Sequence, residues 1–355
     1  MRRLMCFLTV VVALQAIVLG TTASRAEKLV ALPDILDPSS MHVDANQLYI
    51  VDGHRINVYA LDDFRLLKKF GKVGEEPDAF RSRPGGDVKL FVDVQSERIV
   101  VNSHERVSLF SKDGTFISSM SPYPQVDFVA PMGEMYIGSF YYIHVGTGKS
   151  AKHILIFDEN LEFEKKITEG FLGSGSARGF GGPDRKIHVD VVPDYYGFSV
   201  FDDRVYVGDT SKGFSFEVYD TEGEKLYDIL KDYEQLELTD AYRRKRMKGI
   251  SERPFYRRQG DFVAVDERAH FPAFQNFPVT DAKIYVYTFR EIDDKQEVRV
   301  LDLTGDLERT VYVPIADIKT IRKNTYYYLQ KNDCEEWELH SADLGTKIGR
   351  DDDKI

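Results

Sequence analysis

Three histidines, His54, His104 and His144, each lie at the end of a strand-like apolar run. Neutral imidazole is a common zinc ligand. Three of them meeting around one ion, with a coordination position left for water, would make a metal centre that activates that water. Zinc or calcium is the ion considered for such a site, and no other cofactor is expected. His188 and His270 fall in longer insertions between repeated strand-like units. No tight metal signature such as H-E-x-x-H is present, so these residues also read as ordinary loop histidines.

A second concentration of chemistry is cationic. Between Thr239 and Arg258 stand Arg243, Arg244, Lys245, Arg246, Lys248, Arg253, Arg257 and Arg258, against only Asp240 and Glu252. Thr239 is a helix N-cap type, and the spacing predicts a helix from there through Lys248, ended by Gly249. Two readings stand for the run. It is a solvated helix paired with an acidic body, or a docking arm for an anionic ligand: a small molecule, a polysaccharide or an acidic protein surface. Arg243, Arg244, Lys245, Arg246, Arg257 and Arg258 are its candidate ligand-binding residues. Phe255, Tyr256, Phe262, Phe271, Phe274 and Phe277 follow, and are read as pinning the insertion down.

Nucleophilic chemistry finds little support. There is no G-x-S-x-G elbow and no phosphate-binding G-x-x-x-x-G-K-[ST]. The glycine-rich stretch Gly173 to Gly182 has no strand-to-helix setting. Cys334 lacks a recognisable His/Asn context. The pairs Asp62-Asp63, Asp202-Asp203 and Asp293-Asp294 sit where turns are predicted, and carboxylates are ordinary there.

The elements that must position these groups are short strands. A pattern of two apolar residues, a small or acidic residue, two variable residues and often Gly recurs five times, beginning at Val58, Leu109, Ile156, Val218 and Val300. Each copy closes a strand-like run at a tight turn. The clearest unit has strands at Leu90 to Val94, Arg98 to Asn102, Arg106 to Phe110 and Phe116 to Met120. Four such strands cannot bury both faces alone, and repeated units packed around an axis form a β-propeller. Six second strands can be counted: Gln47 to Val51, Arg98 to Asn102, Glu134 to Ser139, Arg204 to Asp209, Lys283 to Thr288 and Thr325 to Gln330. The sixth unit lacks a fourth strand, and Lys28 to Leu32 is expected to supply it. The chain is therefore read as all-β, a six-bladed propeller with a short helical basic insertion, about 231–273, between blades 4 and 5.

In this geometry the connections between second and third strands share one face with the connections between blades. The insertions Gly71 to Asp87, Phe140 to Lys152, Thr168 to Asp194 and Lys231 to Ala273 all belong to that face, which is expected to be the working one.

Residues 1–26 form a separate module. Arg2 and Arg3 precede an apolar stretch from Leu4 to Gly20, and Ser24 and Ala26 suit cleavage before Glu27, the layout of a secretory signal peptide. The mature unit is then 27–345, followed by a charged tail, 346–355. Cys6 leaves with the leader and Cys334 remains alone, so no internal disulfide forms. Removing Arg2, Arg3 and Arg25 takes the net charge from −11 to −14. That balance argues against nucleic acid as a partner. The expectation is an exported monomer, periplasmic or extracellular, with no membrane insertion after cleavage.

Leu48-Tyr49-Ile50-Val51-Asp52, Arg55-Ile56-Asn57-Val58-Tyr59, Lys69-Phe70-Gly71 and Gly74 to Phe80 together resemble an NHL-type propeller repeat. Glu76 and Asp78 stand where that repeat commonly has Gly. Glu335-Glu336-Trp337-Glu338-Leu339-His340 resembles the last blade of exported bacterial six-bladed propellers related to NHL proteins. The resemblance implies the fold more than an activity. Two functions follow: a non-catalytic propeller that binds a ligand or partner on its loop-rich face, or a metal-dependent lyase or hydrolase of the NHL-propeller type using the channel-mouth histidines.

Overall fold

The structure is a computed structural model, describing residues 26–143, 150–172, 187–252, 263–266 and 268–345. Residues 1–25 and 346–355 lie outside these residues. So do His144, Arg253, Phe255, Tyr256, Arg257, Arg258, Phe262 and the stretch Gly173 to Gly182.

Six four-stranded antiparallel sheets make up the described fold. Each is written from its innermost strand outwards. Blade 1 is Pro38–Val43, Gln47–Asp52, Arg55–Ala60 and Leu66–Phe70. Blade 2 is Phe91–Val94, Arg98–Ser103, Arg106–Ser111 and Phe116–Met120. Blade 3 is Phe128–Met132, Met135–Ile143, Ser150–Phe157 and Phe163–Phe171. Blade 4 is Tyr196–Phe201, Arg204–Asp209, Phe214–Tyr219 and Lys225–Lys231. Blade 5 is Val279–Thr280, Lys283–Ile292, Lys295–Asp302 and Leu307–Pro314. Blade 6 is Lys319–Arg322, Thr325–Lys331 and Trp337–Asp343, completed by the outermost strand Ala26–Ala31. All six predicted second strands are present, and the ring is closed from the N-terminal side as expected.

The closing strand pairs Ala26 with Ala342 and Ala31 with Glu338, and Lys28 Nζ meets Glu338 Oε1 at 2.6 Å. Leu32, expected inside the strand, lies just past it, where its N–H donates to the Trp337 carbonyl at 2.8 Å. Between the blades the apolar faces meet in six clusters, one per junction. Tyr49, Tyr206 and Tyr285, from second strands, are fully buried in three of them. Burying each such ring stabilises the packing by about 2–3 kcal/mol.

The turn pattern has a direct physical cause. The turn from third to fourth strand reaches back onto the outer strands of the preceding blade. Gly114 (φ +79) and Gly305 (φ +91) sit at its tip, where a Cβ would come within 2.6 Å of Phe70 and 2.3 Å of Ile229. Asp158, Asp220 and Asp302 close their turns by accepting backbone N–H groups two and four residues on, or four on alone. Five copies serve six blades because blade 6 has no such turn: its fourth strand arrives from the other end of the chain. The acidic pair Asp202-Asp203 forms a two-residue turn with both φ positive, 50° and 55°, and Asp293-Asp294 does likewise at 50° and 58°.

Two stretches expected as loops contain strand residues. The second and third strands of blade 3 extend to Ile143 and back from Ser150, so most of Phe140 to Lys152 is hairpin. Their residues Phe140, Tyr142 and His153 form a contiguous aromatic stack on one side, which favours continued pairing. Within Thr168 to Asp194, the outer strand runs on to Phe171. Ile187–Asp190 then pairs in parallel with Val263–Asp266 of the basic insertion.

Blades are also joined by polar contacts. Asn102, buried in blade 2, donates to the Val129 carbonyl of blade 3 at 2.9 Å and accepts from the Val129 N–H at 2.8 Å. Its amide acts as an additional peptide group bridging two sheets. Among the described residues no helix is long and apolar enough to cross a membrane.

Candidate binding face

The turns on one face, those joining first to second and third to fourth strands, have five residues or fewer. The other face carries the long connections. It also carries exposed apolar side chains: Leu36 (80% exposed), Tyr123 (82%), Ile292 and Ile315. At the short-turn end, exposed Leu66, Phe163 and Leu307 begin the outermost strands of blades 1, 3 and 5.

The basic insertion contributes one helix, α1, Asp240–Ser251. Thr239 caps it as expected, its Oγ1 accepting the Tyr242 N–H at 3.2 Å. The helix passes through Gly249 and ends at Glu252, beyond the predicted stop at Lys248. Gly249 is not left-handed here. Ile250, buried one residue later, holds the last turn in place. Tyr242 and Met247 join Ile250 in facing the protein, with Tyr242 against Phe271 at 4.8 Å and a cluster of Val191, Val192, Leu238 and Phe271 beneath. Phe271, Phe274 and Phe277 are buried and pin the strap that follows.

This docking divides the cationic residues. Arg243 donates to the Arg268 carbonyl at 3.0 Å and meets Asp240 at 3.3 Å. Arg246 donates to the Val191 carbonyl at 3.3 Å. Both are half-buried anchors. Arg244, Lys245 and Lys248 are exposed on the outer side, with Lys248 only loosely paired to Glu252 at 3.9 Å. The sequence pattern alone could not separate the two sets, because the helix shows no strong apolar stripe to orient it.

His54 and His104 occupy equivalent hairpins of blades 1 and 2, between second and third strands. His104 Nε2 lies 3.1 Å from its neighbour Glu105. The third histidine of the expected set, His144, lies outside the described residues. Among the described residues no group of three or more His, Cys, Asp or Glu is placed to hold a metal. Cys334 is exposed and free.

Several channel and loop residues escaped the sequence reading. Arg106 is buried and donates to three carbonyls of the Gly71–Leu90 connection: Glu75 at 3.0 Å, Glu76 at 2.6 Å and Ala79 at 2.9 Å. It fixes that loop on the face that carries the long connections. On the innermost strands, His42, Asp93, Ser199 and Thr320 hold the same register position, opposite Tyr49, Val100, Tyr206 and Tyr327. Burial pushes the His42 imidazole down to about 4, and its Nε2 has no hydrogen-bond partner. Burial pushes the Asp93 carboxyl up to about 6, with Lys112 pulling weakly the other way. Lys319, at the head of the innermost strand of blade 6, is lowered to about 8 by burial. Its Nζ donates to Gln296 at 2.8 Å and lies 4.6 Å from the Tyr287 ring centre. The signal for Asp93 was a carboxylate in the apolar run Phe91-Val92-Asp93-Val94, away from any turn.

No known protein family matches the chain, and no curated protein does. Among solved structures, similarity extends to a BBS1N–ARL6DN complex soaked with mercury. It covers 91% of this chain and 100% of that chain at 12% identity, with a TM-score of 0.39. The lead-soaked form of that complex matches over 88% and 82% at 12% identity, TM-score 0.38. The Pan2 WD40 domain of Neurospora crassa matches over 91% and 97% at 9% identity, TM-score 0.42. Likeness this distant says nothing of what the chain binds. The sheets themselves define a six-bladed β-propeller.

Proposed function

We propose that this chain is an exported propeller of the NHL type that binds a partner on its loop-rich face and performs no chemistry of its own. The partner presents an anionic surface, as an acidic protein or a carboxylated polysaccharide does. The observation that carries the reading is the division of labour on α1. Arg243 and Arg246 hold the helix down through backbone carbonyls, while Arg244, Lys245 and Lys248 are held outward. Three outward cations on a chain of net charge −11 make a local positive site that steers an anionic partner. Leu36, Tyr123 and Ile315, exposed in other inter-blade connections of the same face, offer apolar contacts elsewhere on it.

The test uses the mature chain with polygalacturonate and with an acidic peptide as probes. Binding to at least one, weakened by salt and abolished by the triple change R244E/K245E/K248E, is expected. If neither probe binds, or if the triple variant binds as well as the parent, the reading fails.

A further inference from the structure

We propose that the mouth of the central channel is a binding site for an organic cation, an alkylammonium or guanidinium group held against Phe91, Phe128 and Phe198 and neutralised by Asp93.

The placement follows from the strands. Phe91, Phe128 and Phe198 belong to the innermost strands of three successive blades. Phe91 meets Phe128 edge to face at 6.0 Å, and Phe128 meets Phe198 at 5.8 Å. They form an arc that follows the channel wall. Phe91 is 50% exposed. An innermost strand has the channel and its mouth as its solvent, so this ring faces open space there. A large aromatic ring is more often covered, and Phe91, half exposed beside the partly buried Phe128 and Phe198, leaves a ring face open to a guest.

Asp93 stands two residues after Phe91 and therefore on the same face of the strand. Its carboxylate has the Val94 amide as a polar neighbour, and no side-chain donor among the described residues. Lys112, the cation that acts on it, is already engaged by Asp44 at 2.5 Å and by the Gln95 carbonyl at 2.7 Å. His42, at the equivalent position of blade 1, is kept neutral by burial and offers no counter-charge. The wall thus combines aromatic faces with one uncompensated carboxylate.

That combination selects the guest. Ring faces attract a cation through their quadrupole, and the attraction is strongest where water is excluded. A bare metal ion is a poor fit, because hard cations need several oxygen ligands and no group of three or more such side chains is gathered among the described residues. A weakly hydrated guanidinium or alkylammonium can lie on the rings and direct its N–H groups to Asp93. The chemistry is shared by a free small amine and by an arginine or lysine side chain offered by a partner. The site does not depend on α1, so it can stand if the proposed anionic partner is wrong.

The experiment is calorimetric titration of the mature chain with agmatine and, separately, with a short peptide carrying one central arginine. Agmatine binding identifies a free cation as sufficient, and binding of the peptide alone identifies a presented side chain. In either case Asp93→Asn and Phe91→Ala should each weaken binding at least tenfold, while Leu226→Ala, on the exposed outermost strand of blade 4, leaves it unchanged. Both channel variants should stay folded, since one removes a buried charge and the other trims a half-exposed ring; circular dichroism melts check this. No binding of either probe, or binding indifferent to both channel variants, overturns the proposal.

Discussion

Replacing Asp93 with Asn should make the protein more stable at neutral pH and leave it unchanged in acid. In the folded chain the carboxyl is pushed up to about 6 from an ordinary 3.8, chiefly by burial. The folded state therefore holds this proton more tightly than the unfolded state does. Folding stability is lost as pH rises from about 3.8 to about 6, and the full penalty applies above that window. Two pH units at about 1.4 kcal/mol each give a penalty of up to ~3 kcal/mol. Contact with channel water reduces it, so about 1.5–3 kcal/mol is expected. Urea unfolding of both proteins at pH 4, 5, 6 and 7.5 measures it. The two curves should lie closest at pH 4 and separate progressively, with Asn ahead. His42 provides an internal control of opposite sign. Its imidazole is lowered to about 4, so stability falls as pH drops from about 6.5 towards 4, and His42→Leu should remove that slope. The two groups oppose each other between pH 4 and 6, leaving the parent flatter there than either variant. An Asp93→Asn protein that is no more stable at pH 7.5, or whose advantage is the same at pH 4, would refute the reasoning.

Three further outcomes are expected. Asn102→Ala leaves the Val129 N–H and carbonyl unpaired inside the blade 2–blade 3 junction and should cost about 2–4 kcal/mol in urea unfolding. Deleting Glu27–Ala31 strips blade 6 of its outer strand; the remaining chain should melt lower and self-associate in sedimentation through the uncovered Trp337–Asp343 edge. Metal analysis of Glu27–Ile355 purified without chelator should find no stoichiometric transition metal, whereas equimolar zinc that disappears on His54→Ala or His104→Ala would favour the lyase or hydrolase reading.

The propeller was legible because its repeating feature is local. A turn that must place Gly beside Phe70, or beside Ile229, leaves its mark in consecutive residues. The strand alternation around Ile99 and Val107 is equally local. The end of α1 was less legible: Gly249 is a common stop, but Ile250 finds a buried site that only the assembled insertion supplies. The same holds for Arg243 and Arg246, whose carbonyl partners lie 25 and 55 residues away. The channel wall was least legible. Phe91, Phe128 and Phe198 look like ordinary strand residues until three blades bring them side by side.

The origin of the sixth blade has a consequence for how the molecule is made. Its outermost strand is among the earliest segments of the fold to be synthesised, yet its partner, Trp337–Asp343, is among the last. The Lys28–Glu338 contact spans 310 positions of sequence. Until that distance is bridged the early strand has no partner, and the flanks of blades 1 and 5 that blade 6 will cover stand open. Contacts of such long range form late and slowly. Completion of the ring therefore acts as a length check: a prematurely terminated chain retains an open side, and exposes it to proteases and to other unfinished chains.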